Sequence, residues 1–252
     1  MKIKAVKSNV EAIAALRRLF LLEANCQIRY HACHERGWSD SYLLVYDGHH
    51  VGYGAVNGQA LDDRDTIFEF YVLPDWRHVM APLFLELLDA ARPSHIECQS
   101  NEPLLTAMLY EFAHDINADV MLFEDGASTH YSTPGVTFRR RREGEAVFEH
   151  HAEPVGDYVL ERKNEVVATG GYLLHYNEPF ADLYMEVGTA SRGTGLGSYL
   201  LQELKRAAYL AGHVPAARCN IANKASQASL IKAGMRRCGF MLKGKVAQAP
   251  ST

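Results

Sequence analysis

Three glycines within five residues separate an apolar strand from a helix in the segment VGTASRGTGLGSYLLQEL, Val187 to Leu204. Glycine in a helix costs roughly 0.5–1 kcal/mol relative to alanine, so Gly193, Gly195 and Gly197 need a physical reason. The first amide groups of a helix have no intrahelical acceptor, and the helix dipole makes that end partly positive. A strand, a glycine-rich turn and a helix in this order therefore predict an anion site, where phosphate groups can reach a backbone without side chains.

The spacing of these glycines excludes two common nucleotide-binding motifs. The dinucleotide motif GxGxxG would need a glycine at 198, where Ser198 stands. A Walker loop ends in Gly-Lys-Ser/Thr, whereas this loop continues as Gly197-Ser198-Tyr199. No ribose-binding acidic residue is evident, so a nucleotide-dependent oxidoreductase is disfavoured. What remains is R-x-x-G-x-G, Arg192 to Gly197, directly after an apolar strand.

The composition indicates an ordinary globular protein and disfavours several classes of partner. The chain has 252 residues, of which 48% are hydrophobic and 22% charged, enough for two small domains with cores. A net charge of −4 gives no general attraction for nucleic acid or anionic membranes. Five scattered cysteines suit free thiols in a reducing compartment. The first residues lack the continuous apolar core of a signal peptide, so we expect a cytoplasmic protein with no nucleic-acid or membrane partner.

The order of predicted elements recurs along the chain. The first half is predicted to begin with a helix opened by a Ser8–Glu11 capping box, and to continue with a hairpin at Asp47-Gly48. Strands at 67–72, 95–98 and 119–123 alternate with helices that start near Pro82 and Glu102. The second half repeats this order, with strands at 136–141, 181–187 and 215–220, a hairpin at 157–174, a helix closed by Gly212, a helix capped by Asn223 and a last strand at 240–243.

Residue spacings between the halves support an internal duplication. Val72 and Arg77 precede Val187 and Arg192 by 115 residues. Offsets of 116 to 122 relate further pairs: Tyr42 and Tyr158, Val51 and Val167, Cys98 and Cys219, Asn101 and Asn223. Near-constant offsets across several element types predict two similar α/β domains.

The loop and its surroundings resemble the GNAT superfamily of N-acetyltransferases. In that family a Q/R-x-x-G-x-G/A segment wraps the diphosphate of coenzyme A, and the pattern N-x-x-A-x-x-x-Y-x-K-x-G-F often follows. Three positions of the second pattern match here, namely Asn223, Lys232 and Gly234. Three positions depart from it, namely Ser226, Leu230 and Met235. The resemblance covers residues 159–239 well and the first half only in outline.

The resemblance implies an α/β (α+β) protein with two tandem GNAT-like domains, each a mixed, mostly antiparallel sheet flanked by helices. The predicted boundaries are a first domain at 1–125, a linker at 126–135 and an acetyl-CoA-binding domain at 136–252. The first domain reads RHVMAP at the position of the loop, Arg77 to Pro82, with no glycine. Because Pro82 lacks an amide hydrogen and Met80 adds bulk, we expect this domain to be degenerate and to bind no coenzyme A.

The resemblance also assigns candidate ligands of acetyl-CoA. Backbone groups at Met185, Glu186 and Val187 are expected to hold the pantetheine and to face the thioester carbonyl. The diphosphate is expected on the amides of the loop, with a charge-assisted contact from Arg192, although this arginine has an alternative partner in a local carboxylate. The full set of cofactor-binding candidates is Met185, Glu186, Val187, Arg192, Gly193, Thr194, Gly195, Leu196, Gly197, Ser198, Asn223 and Ser226.

The catalytic groups are less constrained than the cofactor loop. Glu186 and, secondarily, Asp182 are candidate general bases, because partial burial would raise the pKa of a carboxylate on this strand. The alternative for each is a solvated carboxylate at the edge of a strand. Many relatives carry a tyrosine acid where this chain has Leu230, and substitutes for it remain open: Tyr184, Tyr199, Tyr209 or water. His175 and Tyr176 are expected to be structural turn residues or to order a water.

Several other clusters have simpler structural interpretations, and no metal is expected. The Cys26–His34 segment fits no common zinc spacing. His49-His50 and His150-His151 fall in turns or loops. The arginine run Arg139–Arg142 is expected to meet local carboxylates at Glu143, Glu145 and Glu149 rather than a phosphate.

Two functions follow from the resemblance. The first is an N-acetyltransferase that moves an acetyl or other acyl group from acetyl-CoA to an amine within a ternary complex. The alternative is a non-catalytic acyl-CoA sensor or assembly module.

The second half has a much shorter segment between its first strand and its hairpin than the first half. This segment is Arg142–Gly156, whereas the first half has Ser8–Trp38, which is mainly helical in sequence. In the family the two helices of that region form a wall of the acceptor pocket, so we expect the first domain or a second chain to supply the wall. The acceptor is not defined, and the protein is expected to be a monomer or a homodimer.

Overall fold

A computed structural model of the chain describes residues 2–24, 26–58, 60–148, 154–174 and 176–247. The chain forms two compact units. Unit 1 contains the residues up to Cys26, Tyr30–Asp119 and the residues from Phe240 onward, and unit 2 contains Gln27–Arg29 and Val120–Gly239. Among the described residues, no helix has the length and apolar character needed to cross a bilayer.

Unit 1 has the predicted order of strands and helices, except that the strand β1 precedes the first predicted helix. Its elements are β1 (Ile3–Ser8), α1 (Val10–Glu23), α2 (His31–Glu35), β2 (Asp40–Tyr46), β3 (His49–Asn57), β4 (Thr66–Val72), α3 (Met80–Ala91), β5 (His95–Gln99) and α4 (Pro103–Phe112). A short 3₁₀ turn, Pro74–Val79, connects β4 to α3. The strands β1-β2-β3-β4-β5 are neighbours in that order, and only the β4–β5 pair is parallel.

The first helix begins differently from the sequence prediction. Asn9, not Ser8, is the N-cap, because its Oδ1 accepts a hydrogen bond from the Ala12 amide at 3.0 Å. Ser8 is the last residue of β1 and pairs with Ser41, so its backbone is committed to the sheet. The predicted Ser8 capping box is therefore wrong, whereas the apolar face of the helix is buried as predicted at Ile13, Leu16 and Phe20.

The two predicted hairpins of the chain have the tight turns that their sequences indicate. Asp47 and Gly48 join β2 to β3 with φ of 45° and 88°. Lys163 and Asn164 join two strands of unit 2 with φ of 53° and 65°. Positive φ at both central residues is typical of turns that match the twist of an antiparallel pair. These hairpins confirm the turn signals read from the sequence.

Unit 2 has the same order of strands around one long helix. Its elements are β7 (Val136–Arg140), β8 (Tyr158–Arg162), β9 (Glu165–Leu173), β10 (Phe180–Val187), α5 (Leu196–Leu210), β11 (Val214–Asn220) and α6 (Lys224–Lys232). The order of neighbours is β11-β10-β9-β8-β7, with only β10–β11 parallel. One face of this sheet packs on α5 and α6 through a core that includes Leu183, Leu200, Leu204 and Leu230.

Two strands, β6 (Ala113–Asp125) and β12 (Met235–Val246), contribute residues to both units. In unit 2, residues 120–124 of β6 pair with β11, from Val120–Asn220 to Glu124–Ala216. In unit 1, residues 241–245 of β12 pair with β5, from Met241–Gln99 to Lys245–His95. Each unit therefore contains a strand segment from the other half of the chain. The boundaries at 1–125, 126–135 and 136–252 stay a prediction.

One side-chain contact recurs at the predicted offset of 115 residues. Arg77 Nε donates to the Val72 carbonyl at 3.2 Å, and Arg192 Nε donates to the Val187 carbonyl at 3.1 Å. In each unit an arginine after the fourth strand thus closes the turn onto the last strand residue. This shared geometry supports the duplication inferred from the sequence.

The two units differ between their first strand and their hairpin. Unit 1 places α1 and α2 there, whereas the described residues between β7 and β8, 141–148 and 154–157, form no helix. This agrees with the short Arg142–Gly156 segment seen in the sequence.

Candidate functional site

The strands β10 and β11 diverge in the middle of unit 2. Their parallel pairing runs from Phe180–Val214 to Leu183–Ala217 and ends there. β10 nevertheless continues to Val187 along its other neighbour, β9. On the side of β10 toward β11, the backbone of Met185–Val187 therefore has no strand partner among the described residues. A gap between diverging strands gives an extended ligand access to backbone groups that a continuous sheet would occupy.

The turn after β10 requires two of its glycines for backbone reasons. Gly193 has φ of 75° and Gly195 has φ of 85°, in the left-handed region that favours glycine. A Cβ atom at Gly193 would have no neighbour within 4 Å, so the space above it is open. The Thr194 hydroxyl donates to the Ser191 carbonyl at 2.7 Å and fixes the turn. The loop is thus preformed and exposes its backbone.

Gly195 is the N-cap of α5, and no side chain caps this helix within the described part of the chain. The Tyr199 amide makes the first helical bond, to the Gly195 carbonyl at 3.1 Å. The amides of Leu196, Gly197 and Ser198 precede it and have no intrahelical acceptor. With the positive end of the helix dipole, these donors form a place where an anion is stabilised.

Gly197 has a different role from the other two glycines. A Cβ atom there would lie 3.1 Å from Ser229 Oγ and 3.2 Å from Met185 Cε. The absent side chain therefore lets α5 approach α6 and β10 closely. Of the three glycines, Gly193 faces open space, and a Cβ atom at Gly195 would have only Lys232 Nζ, 3.7 Å away, as a neighbour within 4 Å.

Arg192 makes the contact with a local carboxylate that was one of its two predicted partners, whereas its contact with a phosphate stays a prediction. Besides its bond to the Val187 carbonyl, its Nη2 lies 3.6 Å from Glu186 Oε1. The side chain is 56% exposed, whereas that of Glu186 is buried. The pair keeps an exposed cation beside the loop and links it to the candidate base.

Asp182 and Glu186 lie on one face of β10, because alternate residues of a strand point to the same side. The intervening residues Leu183 and Met185 pack into the opposite core. Both carboxylates are buried, at 5% and 6% exposure. Burial raises the pKa of Asp182, against the opposing effects of Arg218, whose Nε is 3.0 Å from Asp182 Oδ2, and of a hydrogen bond with Asn177. The alternative of solvated edge carboxylates is excluded for both.

A short segment from the first half of the chain belongs to this unit. Gln27–Arg29 lies between α1 and α2 in sequence but clusters with unit 2. The Arg29 amide donates to Asn177 Oδ1 at 3.4 Å, and its guanidinium lies 6.0 Å from the ring centroid of Phe180, where β10 begins. Arg29 is itself buried. No local sequence signal indicated this placement.

The second motif folds as a capped helix. Asn223 Oδ1 accepts from the Ser226 amide at 3.0 Å and caps α6, as predicted. Leu230, at the position where relatives carry tyrosine, is buried in the apolar core of unit 2. This position therefore supplies no proton donor.

The tyrosines considered as substitute acids have different surroundings. The Tyr209 hydroxyl donates to Asp125 Oδ2 at 2.7 Å, and burial with this bond raises its pKa to about 12. Tyr209 stands 14 residues after Gly195, roughly 20 Å along the helix axis. The Tyr184 hydroxyl lies over Gly171 of β9. Tyr199 is in the first turn of α5, and burial raises its pKa. Tyr209 is thus too distant to act at the loop, and His175 lies outside the described residues.

The remaining clusters singled out from the sequence make local contacts. Arg139 Nη1 donates to Glu145 Oε2 at 2.9 Å, and its Nε donates to Glu161 Oε2 at 3.0 Å. Glu149 and His150-His151 lie outside the described residues. His34, from the Cys26–His34 segment, lies 3.1 Å from the buried Glu69. Among the residues with described positions, no three potential metal-ligating side chains come together.

Comparisons with known proteins identify both halves. Residues 9–126 match the model of an acetyltransferase (GNAT) domain, and residues 121–235 match that of the acetyltransferase (GNAT) family. The chain belongs to the GNAT superfamily. It is a GNAT-family acetyltransferase with two GNAT domains, and the family typically uses acyl-CoA. No curated protein sequence matches the chain.

Solved structures share this tandem architecture at low sequence identity. A GNAT-family acetyltransferase from Colwellia psychrerythraea is 14% identical, with a TM-score of 0.73 over 98% of this chain and 100% of that chain. A tandem GNAT protein from the clavulanic acid biosynthesis pathway is 12% identical, with a TM-score of 0.58 over 98% and 100%. A GCN5-related N-acetyltransferase from Sphaerobacter thermophilus is 14% identical, with a TM-score of 0.57 over 99% and 98%. These likenesses show the fold, which confirms the predicted fold class.

Proposed function

We propose that unit 2 binds acetyl-CoA and transfers its acetyl group to an amine. The observation that carries this proposal is the uncapped, glycine-lined start of α5 beside the divergence of β10 and β11. The amides at 193–198 suit a diphosphate, and the free edge of β10 at Met185–Val187 suits the pantetheine chain. Asn223 caps α6 and Ser226 lies in its first turn, and we propose that both residues line the cofactor site. The proposed site requires no metal.

The proposed reaction is a direct transfer. The amine nitrogen forms a bond to the thioester carbonyl carbon, the carbon–sulfur bond breaks, and the thiolate leaves with its electron pair. The amine attacks in its neutral form, and the surplus proton that its nitrogen carries after the attack passes to a carboxylate, for which we propose Glu186 first and Asp182 second. Both are buried on the face of β10 opposite α5, where desolvation favours proton acceptance. Positioning and the fixed dipoles of the loop supply the remaining stabilisation.

Unit 1 is proposed to have lost the cofactor site. Its equivalent helix, α3, has Val79 as N-cap and begins at Met80, with Pro82 as its third residue. Met80 packs against the core of unit 1, and Pro82 offers no amide hydrogen. The chain therefore carries one acyl-CoA site, in its second half.

Gln27–Arg29 is proposed to supply part of the acceptor wall that the short segment 142–156 lacks. It contacts Asn177 and Phe180 at the start of β10, on the strand that carries both candidate bases. Arg29→Ala in the full chain is expected to raise KM for the amine several-fold while leaving the Kd of acetyl-CoA unchanged. An unchanged KM for the amine would remove this segment from the proposal.

The alternative function, an acyl-CoA sensor, is favoured by one observation. Leu230 occupies the position of the usual acid and is buried in apolar surroundings, so the leaving thiolate has no donor there. Incubation with acetyl-CoA and a panel of amines, with free thiol as the readout, separates the two functions. Tight binding without thiol release from any amine supports the sensor.

A matched pair of glycine variants tests the cofactor site itself. Gly193 and Gly212 have φ of 75° and 84°, and a Cβ atom at either would have no neighbour within 4 Å. Gly193→Ala and Gly212→Ala thus impose similar backbone strain at opposite ends of α5. By calorimetry, Gly193→Ala is expected to weaken acetyl-CoA binding at least about tenfold, the loss of one charge-assisted backbone contact. Equal affinity in both variants, or no binding by the unmodified protein, contradicts the proposed site.

A further inference from the structure

Lys232 places an ammonium group beside the glycine that caps α5. It is the last residue of α6 and is exposed. Its Nζ lies only 3.7 Å from where a Cβ atom of Gly195 would be. The cation therefore stands at the mouth of the loop, in front of the amides that follow Gly195.

Tyr131 fixes the position of this lysine. The Tyr131 hydroxyl donates to the Lys232 carbonyl at 2.8 Å, and Lys232 Nζ lies 5.4 Å from the centroid of the Tyr131 ring. The tyrosine is itself anchored to α5, because its amide donates to Gln202 Oε1 at 2.6 Å and its carbonyl accepts from Gln202 Nε2 at 3.0 Å. The segment predicted as a linker thus packs on unit 2 and presents an aromatic face to the lysine.

Lys232 and the positive end of the α5 dipole repel each other unless an anion lies between them. The start of α5 carries the positive end of the helix dipole, and Lys232 adds a full positive charge next to it. Lys232 has no ion pair in the part of the chain that the structure describes, whereas buried Lys205 of the same unit lies 2.6 Å from Asp125 Oδ1. An anion held between the loop amides and Lys232 would be stabilised by both.

The first half of the chain lacks this arrangement. The offset of 122 that relates Asn223 to Asn101 places Tyr110 at the position of Lys232. The offset of 115 places Met80 at the position of Gly195. The lysine and the glycine are thus both present in unit 2 and both absent from the corresponding positions of unit 1.

We propose that Lys232 is a ligand of the diphosphate of the acyl-CoA and that Tyr131 is the residue that positions its ammonium group. This inference rests on the proposed acyl-CoA site and adds to it a contact from α6 and from the segment before β7. The ligand class is the diphosphate shared by coenzyme A and its thioesters. The 3′-phosphate is a separate group, and the test below distinguishes the two.

Calorimetry on the full chain with coenzyme A and with dephospho-coenzyme A, which lacks the 3′-phosphate, tests Lys232. Lys232→Met is expected to weaken both ligands by the same factor, about fivefold, as for an exposed ion pair. Arg206→Met removes an exposed positive charge on α5, 11 residues and roughly 16 Å from Gly195, and serves as the control for net charge. The melting temperature of each variant checks its fold.

A series at Tyr131 tests the positioning role. Tyr131→Phe keeps the ring and removes the hydroxyl, whereas Tyr131→Leu removes both contacts to Lys232. We expect an intermediate loss of affinity for Tyr131→Phe and a loss close to that of Lys232→Met for Tyr131→Leu. In a Lys232→Met background, Tyr131→Leu is expected to add little, because both changes remove the same contact.

The outcomes separate this inference from the proposed function. If the unmodified protein binds neither ligand, the acyl-CoA site fails and the inference fails with it. If it binds both and Lys232→Met binds them equally well, the site stands and the inference is overturned. A loss confined to coenzyme A would place Lys232 at the 3′-phosphate and would also overturn it.

Discussion

Arg17 and Glu69 form a two-point ion pair in unit 1, with Nε 3.0 Å from Oε2 and Nη2 3.0 Å from Oε1. The Tyr53 hydroxyl donates to the same carboxylate at 2.9 Å, and His34 Nε2 lies 3.1 Å from it. Burial alone would raise the pKa of Glu69, but His34 and Arg17 hold this pKa well below its usual range. A buried charge with this many partners is a structural feature of unit 1 that lies outside the proposed cofactor site of unit 2.

Glu69→Gln is expected to destabilise unit 1 by about 3 kcal/mol at pH 7, because it leaves the partly buried Arg17 guanidinium without its charge partner. Urea unfolding followed by tryptophan emission measures this, since Trp38 and Trp76, the two tryptophans of the chain, both belong to unit 1.

The same pair predicts a pH dependence. A carboxylate with a lowered folded pKa contributes stability above its unfolded pKa, about 4.3, and this contribution is lost as the pH falls toward the folded pKa. The difference between the unmodified protein and Glu69→Gln should therefore narrow from pH 5 to pH 3. A difference that stays constant over this range would contradict the assignment of the lowered pKa.

Gly197→Ala is expected to cost about 1–3 kcal/mol of stability in unit 2, as overpacking does in a close-packed core. The added methyl group would meet Ser229 Oγ and Met185 Cε. Thermal unfolding of Gly197→Ala and of Gly197→Ala/Ser229→Ala measures the effect, and removal of the Ser229 hydroxyl should restore part of the loss. The absence of any rescue would show that the crowding comes from elsewhere.

Local signals in the sequence predicted much of this structure. Asp47-Gly48 specified a hairpin, Asn223 specified the start of a helix, and the glycines specified a strand–loop–helix unit, because each depends on backbone preferences over a few residues. Pairing of β6 with β11 and of β12 with β5 could not be predicted in this way. It depends on contacts over more than ninety residues, for which one sequence carries no local pattern.

In the candidate site, too, the features that depend on local sequence could be predicted and those that depend on tertiary packing could not. The placement of Glu186 and Asp182 on one strand face follows from alternation, whereas the entry of Gln27–Arg29 into unit 2 depends on tertiary packing. Glu69 and its partners are dispersed from Arg17 to Tyr53 and on to position 69, so no spacing rule joins them. The packing role of Gly197 was not visible in the sequence, because a packing contact and a ligand contact require the same absence of a side chain.

Glu186→Gln is expected to lower kcat by about 10²-fold or more, the usual effect of losing a general base, with less than a twofold change in the Kd of acetyl-CoA. Asp182→Asn should have a smaller effect on kcat. Thiol release at several pH values, with the amine that reacts best, gives the comparison. For either base the rate should rise with pH through the pKa of that carboxylate, and the variant should lose this rise. A larger loss of kcat for Asp182→Asn would reverse the assignment of the two carboxylates.

Removal of the residues from Phe240 onward is expected to destabilise unit 1, although these residues lie at the far end of the chain from it in sequence. They include Met241–Lys245, which pair with β5. Tryptophan emission should shift toward that of exposed indole, since both tryptophans report on unit 1. A chain that ends at Ala247 retains the pairing and serves as the control. Unchanged emission and unchanged urea unfolding after the longer deletion would contradict the role given to β12.

The exchange of strand segments between the two units has a consequence for how such a gene can change. A recombination event within codons 126–135 would join a first half to a foreign second half. The foreign half would then have to supply both a strand that pairs with β5 and a strand that pairs with β6. Drift in the half that is proposed to lack a cofactor site is thereby restrained, because its last strand, β6, pairs with β11 of the half that is proposed to do the chemistry.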